Sequence, residues 1–279
     1  MIKCYVISSP SRNIDELQFA FSVAGIELIV VPAIWGPSLT PKTIESSVDV
    51  EGTRAIIGWR KPSLNEMGCA LSHQEVYSRA IKSGCDWALV LEDDVSLSSE
   101  FFTALKCFEL NFDKPTIVSF FSRGKRFVNA NPQYRFGISN LFSCLAPPGQ
   151  AAAYIINDKA LKLTLGFEKV TGWADWPRWA IACDFYLAYP WLASEDGNNS
   201  LIPAQPLSKR SYWAWRFNVV SGLGYIKDKQ YFNNYSEYSF WHIKTWILRI
   251  KFKLGLFIPM NLAEEGSLWV SRIESQNKI

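Results

Sequence analysis

Several things are missing from this sequence, and each absence closes off a class of protein. None of its six cysteines, at positions 4, 69, 85, 107, 144 and 183, stands in C-x-x-C spacing. Neither a zinc ribbon nor a dithiol redox pair is therefore indicated. Cys4 and Cys85 lie in or beside apolar runs, and all six read as reduced, mostly buried thiols of a cytoplasmic protein. No stretch of about 18 residues is apolar and uncharged enough to span a bilayer. The opening Met1-Ile2-Lys3 leads into only a few apolar residues before Ser8-Ser9-Pro10, too short a run for a signal peptide. A net charge of +3 is too small to point to nucleic acid. There are no internal repeats and no low-complexity tracts.

What is present is a chain of 279 residues, 48% hydrophobic and 20% charged. That is enough for one large domain or two small ones with a packed core. Aromatics are plentiful, with 12 Trp, 11 Tyr and 18 Phe. They fit sugar-stacking surfaces, an interface or a bulky core, and the core is the more economical reading.

The stretch Trp87-Ala88-Leu89-Val90-Leu91-Glu92-Asp93-Asp94-Val95 organises the rest. Five apolar residues in a row read as a buried strand, and three carboxylates follow at once. Adjacent acids repel unless a cation or a proton settles the charge. Mg²⁺ and Mn²⁺ prefer oxygen ligands, and Mg²⁺ is usually held by one or two carboxylates plus substrate phosphates. In an extended run Glu92 and Asp94 share a face and Asp93 points away. In open α/β sheets ligands bind outside the carboxyl ends of the strands. A strand ending in acid-x-acid suits a metal-bridged nucleotide diphosphate. The plainer reading is an acidic loop that caps the next helix.

Ile2 to Ile7 reads as the first strand. A helix opens at Pro10, capped by Ser8 or Ser9, and ends at Gly25. A second strand runs from Ile26 to Val31. This β-α-β opening predicts parallel strands and a nucleotide-type sheet. Residues 32–62 look irregular, broken by Gly and Pro. Ser63-Leu64-Asn65-Glu66 fits a capping box, so a helix runs from there to Gly84. His73 lies inside it, and a lone helical histidine is ordinarily surface or core filler. Ser98 or Ser99 caps a helix to about Leu110, and Thr116–Phe121 is a further strand. The run Arg123-Gly124-Lys125-Arg126 suits either steering of an anion or a solvated loop. Short strands follow at Tyr134–Phe136, Leu141–Cys144 and Ala151–Ile156, then a helix to Leu165 and Gly166.

In Gly172-Trp173-Ala174-Asp175-Trp176-Pro177-Arg178-Trp179 one carboxylate sits among three indoles. Indole faces stack on sugar rings, and a desolvated carboxylate nearby serves as a base for a sugar hydroxyl. The competing reading is an Asp cap beside a tryptophan core, with Pro177 in the first turn. From Trp241 to Met260 there are no acids and four basic residues. The segment near 241–258 is a basic, apolar helix candidate, suited either to peripheral contact with an anionic inner-membrane surface or to docking on the core.

Together these stretches resemble glycosyltransferase family 25, the lipooligosaccharide and lipopolysaccharide glycosyltransferases. The match runs through Cys4-Tyr5-Val6-Ile7-Ser8 with Arg12, Ala33-Ile34-Trp35-Gly36 and Glu66-Met67-Gly68-Cys69-Ala70-Leu71-Ser72-His73. It continues through Ala88 to Val95, Gln150 to Ile156, and Val170 to Asp175. It covers roughly residues 1–205. Residues 206–279 match nothing and are expected to form a helical or irregular extension.

The resemblance implies a GT-A-like, Rossmann-like fold: a central, mostly parallel sheet flanked by helices. It also implies a UDP-sugar donor, commonly UDP-galactose, inversion at the anomeric carbon, and a divalent metal, Mn²⁺ or Mg²⁺. The acceptor would be an oligosaccharide or lipid-linked glycan. On this reading the metal lies on Asp94, with Glu92. Asp93 bonds donor hydroxyls, and Ser72 and His73 hold phosphate or order the acidic loop. Ser8, Arg12, Ala33 and Gly36 complete the donor site, and Asp175 is the candidate base. A catalytically silent membrane-associated binding subunit is the alternative from another class.

Overall fold

The structure is a computed structural model that describes residues 1–56, 61–122, 125–129, 132–144, 150–172, 174, 177–195 and 257–261. Its opening is the expected β-α-β unit. Strand β1 is Ile2–Ser8, helix α1 is Asp15–Ala24 and strand β2 is Leu28–Pro32. Gly25 closes α1 in the left-handed region at φ 68°, which glycine adopts without steric cost. The helix starts later than Pro10, because residues 9–12 form a tight turn, with the Arg12 amide on the Ser9 carbonyl at 3.0 Å. The side chain of Asn13 then accepts from the Asp15 amide at 2.7 Å.

Residues 32–62 are more regular than expected. They contain helix α2, Pro41–Ser47, and helix α3, Val50–Ile56. Thr40 caps α2 through the Thr43 amide, with Pro41 at the first helical position. That cap-plus-proline start is a helix signal, which the many Gly and Pro residues around it hide. The capping box at Ser63 and Glu66 is formed as read, and helix α4 runs Leu64–Ser83 to Gly84 at φ 64°.

The acidic strand β3 is Trp87–Glu92, and β4 restarts at Val95–Leu97. Ser98 caps α5, Ser99–Lys106, which stops short of Leu110. Then follow β5 Thr116–Ser119, β6 Lys125–Asn129, β7 Tyr134–Phe136, β8 Ser139–Ser143, β9 Ala153–Asn157 and α6 Asp158–Leu163, capped by Asn157. Strands β10 Asp184–Tyr189, β11 Ala193–Glu195 and β12 Phe257–Asn261 complete the described strands.

The main sheet has the order β2-β1-β3-β9-β5-β10-β8-β7. Pairs β1/β2, β1/β3 and β5/β10 are parallel, and the other four are antiparallel. Only β9 and β8 oppose the common direction, so the sheet is mixed but mostly parallel in strand sense. Both faces are covered, which explains the unbroken apolar run of β3. Trp87, Leu89 and Leu91 face a cluster with Phe21 of α1 and Phe101 of α5. Ala88 and Val90 face Val76 and Tyr77 of α4 and Leu161 of α6.

Strand β12 pairs antiparallel with β6. Phe257 and Ile258, expected at the end of the basic helix, are thus in a strand; residues 241–256 lie outside the described residues. All six cysteines are reduced thiols, but only Cys4, Cys85 and Cys183 are buried, and Cys107 is exposed.

Candidate active site

The carboxylates collect at the carboxyl end of β3, between β1 and β9. Glu92 is the last ladder residue, opposite Ile7 of β1, and its amide donates to the Ala152 carbonyl at 2.8 Å. The chain then turns through Asp93 and Asp94, and each carboxylate takes its own surroundings. Asp93 Oδ2 accepts from the Ser9 amide at 2.7 Å, and its Oδ1 lies 3.9 Å from Arg12 Nε. Burial raises the Asp93 pKa, while the Ser9 amide and the Arg12 charge pull it back.

At Asp94 the pull of Arg12 is outweighed. Burial first, then the charges of Glu92 and Asp93, push its carboxyl up to about 6. Its Oδ1 is buried and has no hydrogen-bond partner. A buried carboxylate oxygen without a donor is costly, and a cation would satisfy it. Two carboxylates with an orphaned oxygen are the donor set a hard divalent ion takes. Asp94 therefore fits the metal that the resemblance implies, with Glu92 near enough for its charge to act on Asp94.

Glu92 turns instead toward α4. His73 is fully buried, and its Nε2 lies 3.1 Å from Glu92 Oε1. Its Nδ1 lies 2.9 Å from the Tyr154 hydroxyl, which lies 2.6 Å from the Tyr77 hydroxyl. One proton arrangement serves every contact. Tyr77 donates to Tyr154, Tyr154 donates to Nδ1, and Nε2–H donates to Glu92. Burial holds both phenols above the ordinary tyrosine range, so they remain protonated donors. Cys69, one turn before His73, brings its Sγ to 3.8 Å from Glu92 Oε1.

The remaining donor-site candidates form the frame behind these acids. The Ala33 amide donates to the Ser8 carbonyl at 2.9 Å. Ser72 Oγ accepts from the Ile34 amide and donates to the Gly68 carbonyl, both at 2.8 Å. Gly36 is buried against the first turn of α4, where a Cβ would meet the Leu64 carbonyl oxygen at 2.3 Å. Ser72 thus orders the turn after β2, and its side chain is buried.

Asp175 lies outside the described residues, as do Trp173, Trp176, Arg123 and Gly124. The approach to it is described. Val170 bridges Val48, Thr171 Oγ1 donates to Asp49 at 3.1 Å, and the Gly172 amide donates to Thr53 at 2.9 Å. Ala174 is buried in the cluster with Met67, Ala70 and Leu71 of α4, against which Cys69 packs. Trp179 is buried and meets Tyr77 edge-on, so this indole belongs to the core. Lys125 and Arg126 lie in β6.

Three participants were not anticipated. Ser9 acts through its main-chain amide, which no side-chain pattern announces. Tyr154 stood in the quoted Gln150 to Ile156 stretch, and Tyr77 four residues after His73. Gln150, just before β9, has φ 69°, a conformation uncommon outside glycine and frequent at functional sites.

A mixed, mostly parallel α/β sheet flanked by helices, with carboxylates at the end of a central strand, defines the fold class. The family model for glycosyltransferase family 25 (LPS biosynthesis protein) matches residues 1–169, more than half of the chain, and the chain belongs to that family. A solved structure similar to it is a glycosyltransferase involved in the glycosylation of the major capsid of PBCV-1. That chain is 12% identical, with a TM-score of 0.30 over 58% of this chain and 62% of that one. The chain thus spans less than two thirds of that structure's length. No curated protein matches the sequence.

Proposed function

We propose that this chain transfers a hexose, galactose from UDP-galactose in the first instance, to a sugar acceptor in lipooligosaccharide, lipopolysaccharide or another surface glycan, inverting the anomeric carbon. The observation that carries the reading is Asp94: a buried, unpartnered carboxylate oxygen beside two further carboxylates, at the strand end where α/β folds bind ligands. Glu92 and Asp94 would hold Mn²⁺ or Mg²⁺ against the diphosphate. When bound, such an ion neutralises charge on the departing UDP.

The chain's own residues do the rest. Asp93, pinned by Ser9 and Arg12, is placed to accept from donor hydroxyls. His73 orients Glu92. Asp175 is the proposed base for the acceptor hydroxyl, supported by its neighbour Ala174 packing on α4, the helix that carries Cys69 and His73. An inverting reaction needs its base on the face opposite the leaving group, so Asp175 works apart from the metal. Peripheral contact with the inner membrane through 241–258, on its cytoplasmic side, belongs to the same proposal. No helix among the described residues is long and apolar enough to cross a membrane.

The test is UDP release from a panel of UDP-sugars, with and without Mn²⁺, in wild type and Asp94→Ala. Metal-dependent release from UDP-galactose, lost in Asp94→Ala, is the expected result. Release from UDP-glucose or a UDP-N-acetylhexosamine alone would replace the donor. No release with an acceptor glycan present, and no UDP binding, would overturn the transferase reading.

A further inference from the structure

Beside the hard-ion carboxylates lies a second donor set of different chemistry. Cys69 Sγ, a ring nitrogen of His73 and a carboxylate oxygen of Glu92 all lie within 4.8 Å of one another. The imidazole and carboxylate atoms are 3.1 Å apart, and the thiol and carboxylate atoms 3.8 Å. Zn²⁺ binds S, N and O ligands at about 2.3, 2.0–2.1 and 2.0–2.2 Å. In a tetrahedron those bonds set the ligand atoms about 3.3–3.6 Å apart. The imidazole–carboxylate and thiol–carboxylate separations bracket that range, and with the third pair inside 4.8 Å side-chain torsions bring the three atoms onto one ion.

The local structure favours it. Cys69 and His73 stand four apart on α4, the spacing that puts two ligands on one helical face. The Tyr154 hydroxyl on Nδ1 is the outer partner that a metal-binding histidine needs. Both phenols can rotate, so Nδ1–H can donate to Tyr154 and leave Nε2 for an ion. The Glu92 side chain is 27% exposed and Cys69 is partly exposed, while His73 is buried. Entry is therefore from the Glu92 side, and a fourth position remains for water. A thiolate and an imidazole select zinc-like ions over Mg²⁺ or Mn²⁺, which want oxygen.

We propose that Cys69, His73 and Glu92 form a binding site for a thiophilic divalent cation of the Zn²⁺ class. Binding exchanges the Cys69 thiol proton for the ion. It also claims Glu92, the carboxylate that the proposed donor-metal site needs, so Zn²⁺ inhibits transfer. The site stands on geometry alone; the inhibition rests on the transferase reading.

The test is Co²⁺ titration of the full chain, followed by absorbance. The expected result is a thiolate-to-cobalt charge-transfer band with intense visible bands of tetrahedral Co²⁺, saturating at one equivalent. Zn²⁺ should displace it, and excess Mg²⁺ should not. Cys69→Ser should lose the charge-transfer band and Cys107→Ser, at an exposed thiol, should keep it. Glu92→Gln should weaken Co²⁺ binding at least tenfold, with folding of each variant checked by circular dichroism. No band in wild type, or a band that survives Cys69→Ser, overturns the site, whether or not the chain releases UDP. Given turnover, tenfold weaker Zn²⁺ inhibition of Cys69→Ser supports the regulatory role, and equal inhibition overturns it.

Discussion

The main-chain amide of Ser9 donates to Asp93 Oδ2 at 2.7 Å, so the end of β1 and the turn after β3 are fastened by a single hydrogen bond to a charged acceptor. Asp93→Ala leaves that amide without its partner in a half-buried place. The expected loss is about 1–3 kcal/mol in urea unfolding. Asp93→Asn keeps a carbonyl acceptor and should lose less. Equal losses would mean that the Arg12 ion pair, rather than the amide, matters.

Asp94 gives a pH signature in the metal-free protein. Its pKa rises from the ordinary aspartate value of 3.8 to about 6 on folding. The native state therefore holds this proton more tightly than the unfolded chain. The resulting stability is full below pH 3.8 and is lost as pH rises through about 6. Asp94→Asn stays neutral throughout, so it should be more stable than wild type at pH 7 by about 1 kcal/mol, after discounting for partial exposure. Near pH 4 the two should match. A less stable Asp94→Asn at pH 7 in chelator-treated protein would refute this.

The tyrosine–histidine chain predicts unequal effects from equal deletions. Tyr154→Phe removes the middle hydroxyl and strands both Tyr77 and His73 Nδ1, with an expected cost of about 2–4 kcal/mol. Tyr77→Phe removes only the terminal donor and should cost about 1 kcal/mol. Chemical denaturation of both variants measures the difference. If Tyr77→Phe proves the costlier, the protons run the other way.

Gly68 lets α4 touch the turn after β2. A Cβ there would sit 2.5 Å from the Ile34 carbonyl oxygen and 2.8 Å from the Gly36 nitrogen, both main-chain atoms that cannot swing aside. Gly68→Ala should cost about 1–3 kcal/mol and weaken UDP binding by displacing the turn that Ser72 holds. Unchanged melting temperature and unchanged UDP binding by calorimetry would show that the helix slides instead.

Much of this was legible because local rules and tertiary structure agree. The capping box at Ser63 and Glu66, the glycines ending α1 and α4, and the apolar run of β3 all report on neighbours a few residues away. The helices at Pro41 and Val50 were not legible: each is seven residues long, too short for a periodicity to stand out. Nor was the use of each site residue. The resemblance gives Ser72 a phosphate or the acidic loop and Gly36 the donor, and the sequence does not show that the Ser72 hydroxyl meets the Ile34 amide or that Gly36 packs on α4. The bond from the Ser9 amide to Asp93 likewise leaves no mark in the sequence. Such pairings join residues far apart in sequence, and composition and spacing carry no trace of them.

Strand β9 runs against its neighbours on both sides, and that has a cost during synthesis. On a growing chain β1 and β3 can pair as soon as residue 92 emerges. The far edge of β3 must then wait for β9, which also brings the Ala152 carbonyl for Glu92 and the Tyr154 hydroxyl for His73. Until then a hydrophobic strand edge lies open beside three acids, of which Asp93 already has Ser9 and Arg12 and Glu92 has His73. The repulsion of those acids hinders edge-to-edge pairing with another chain, so the residues proposed for chemistry in the finished protein also guard it while it is being made.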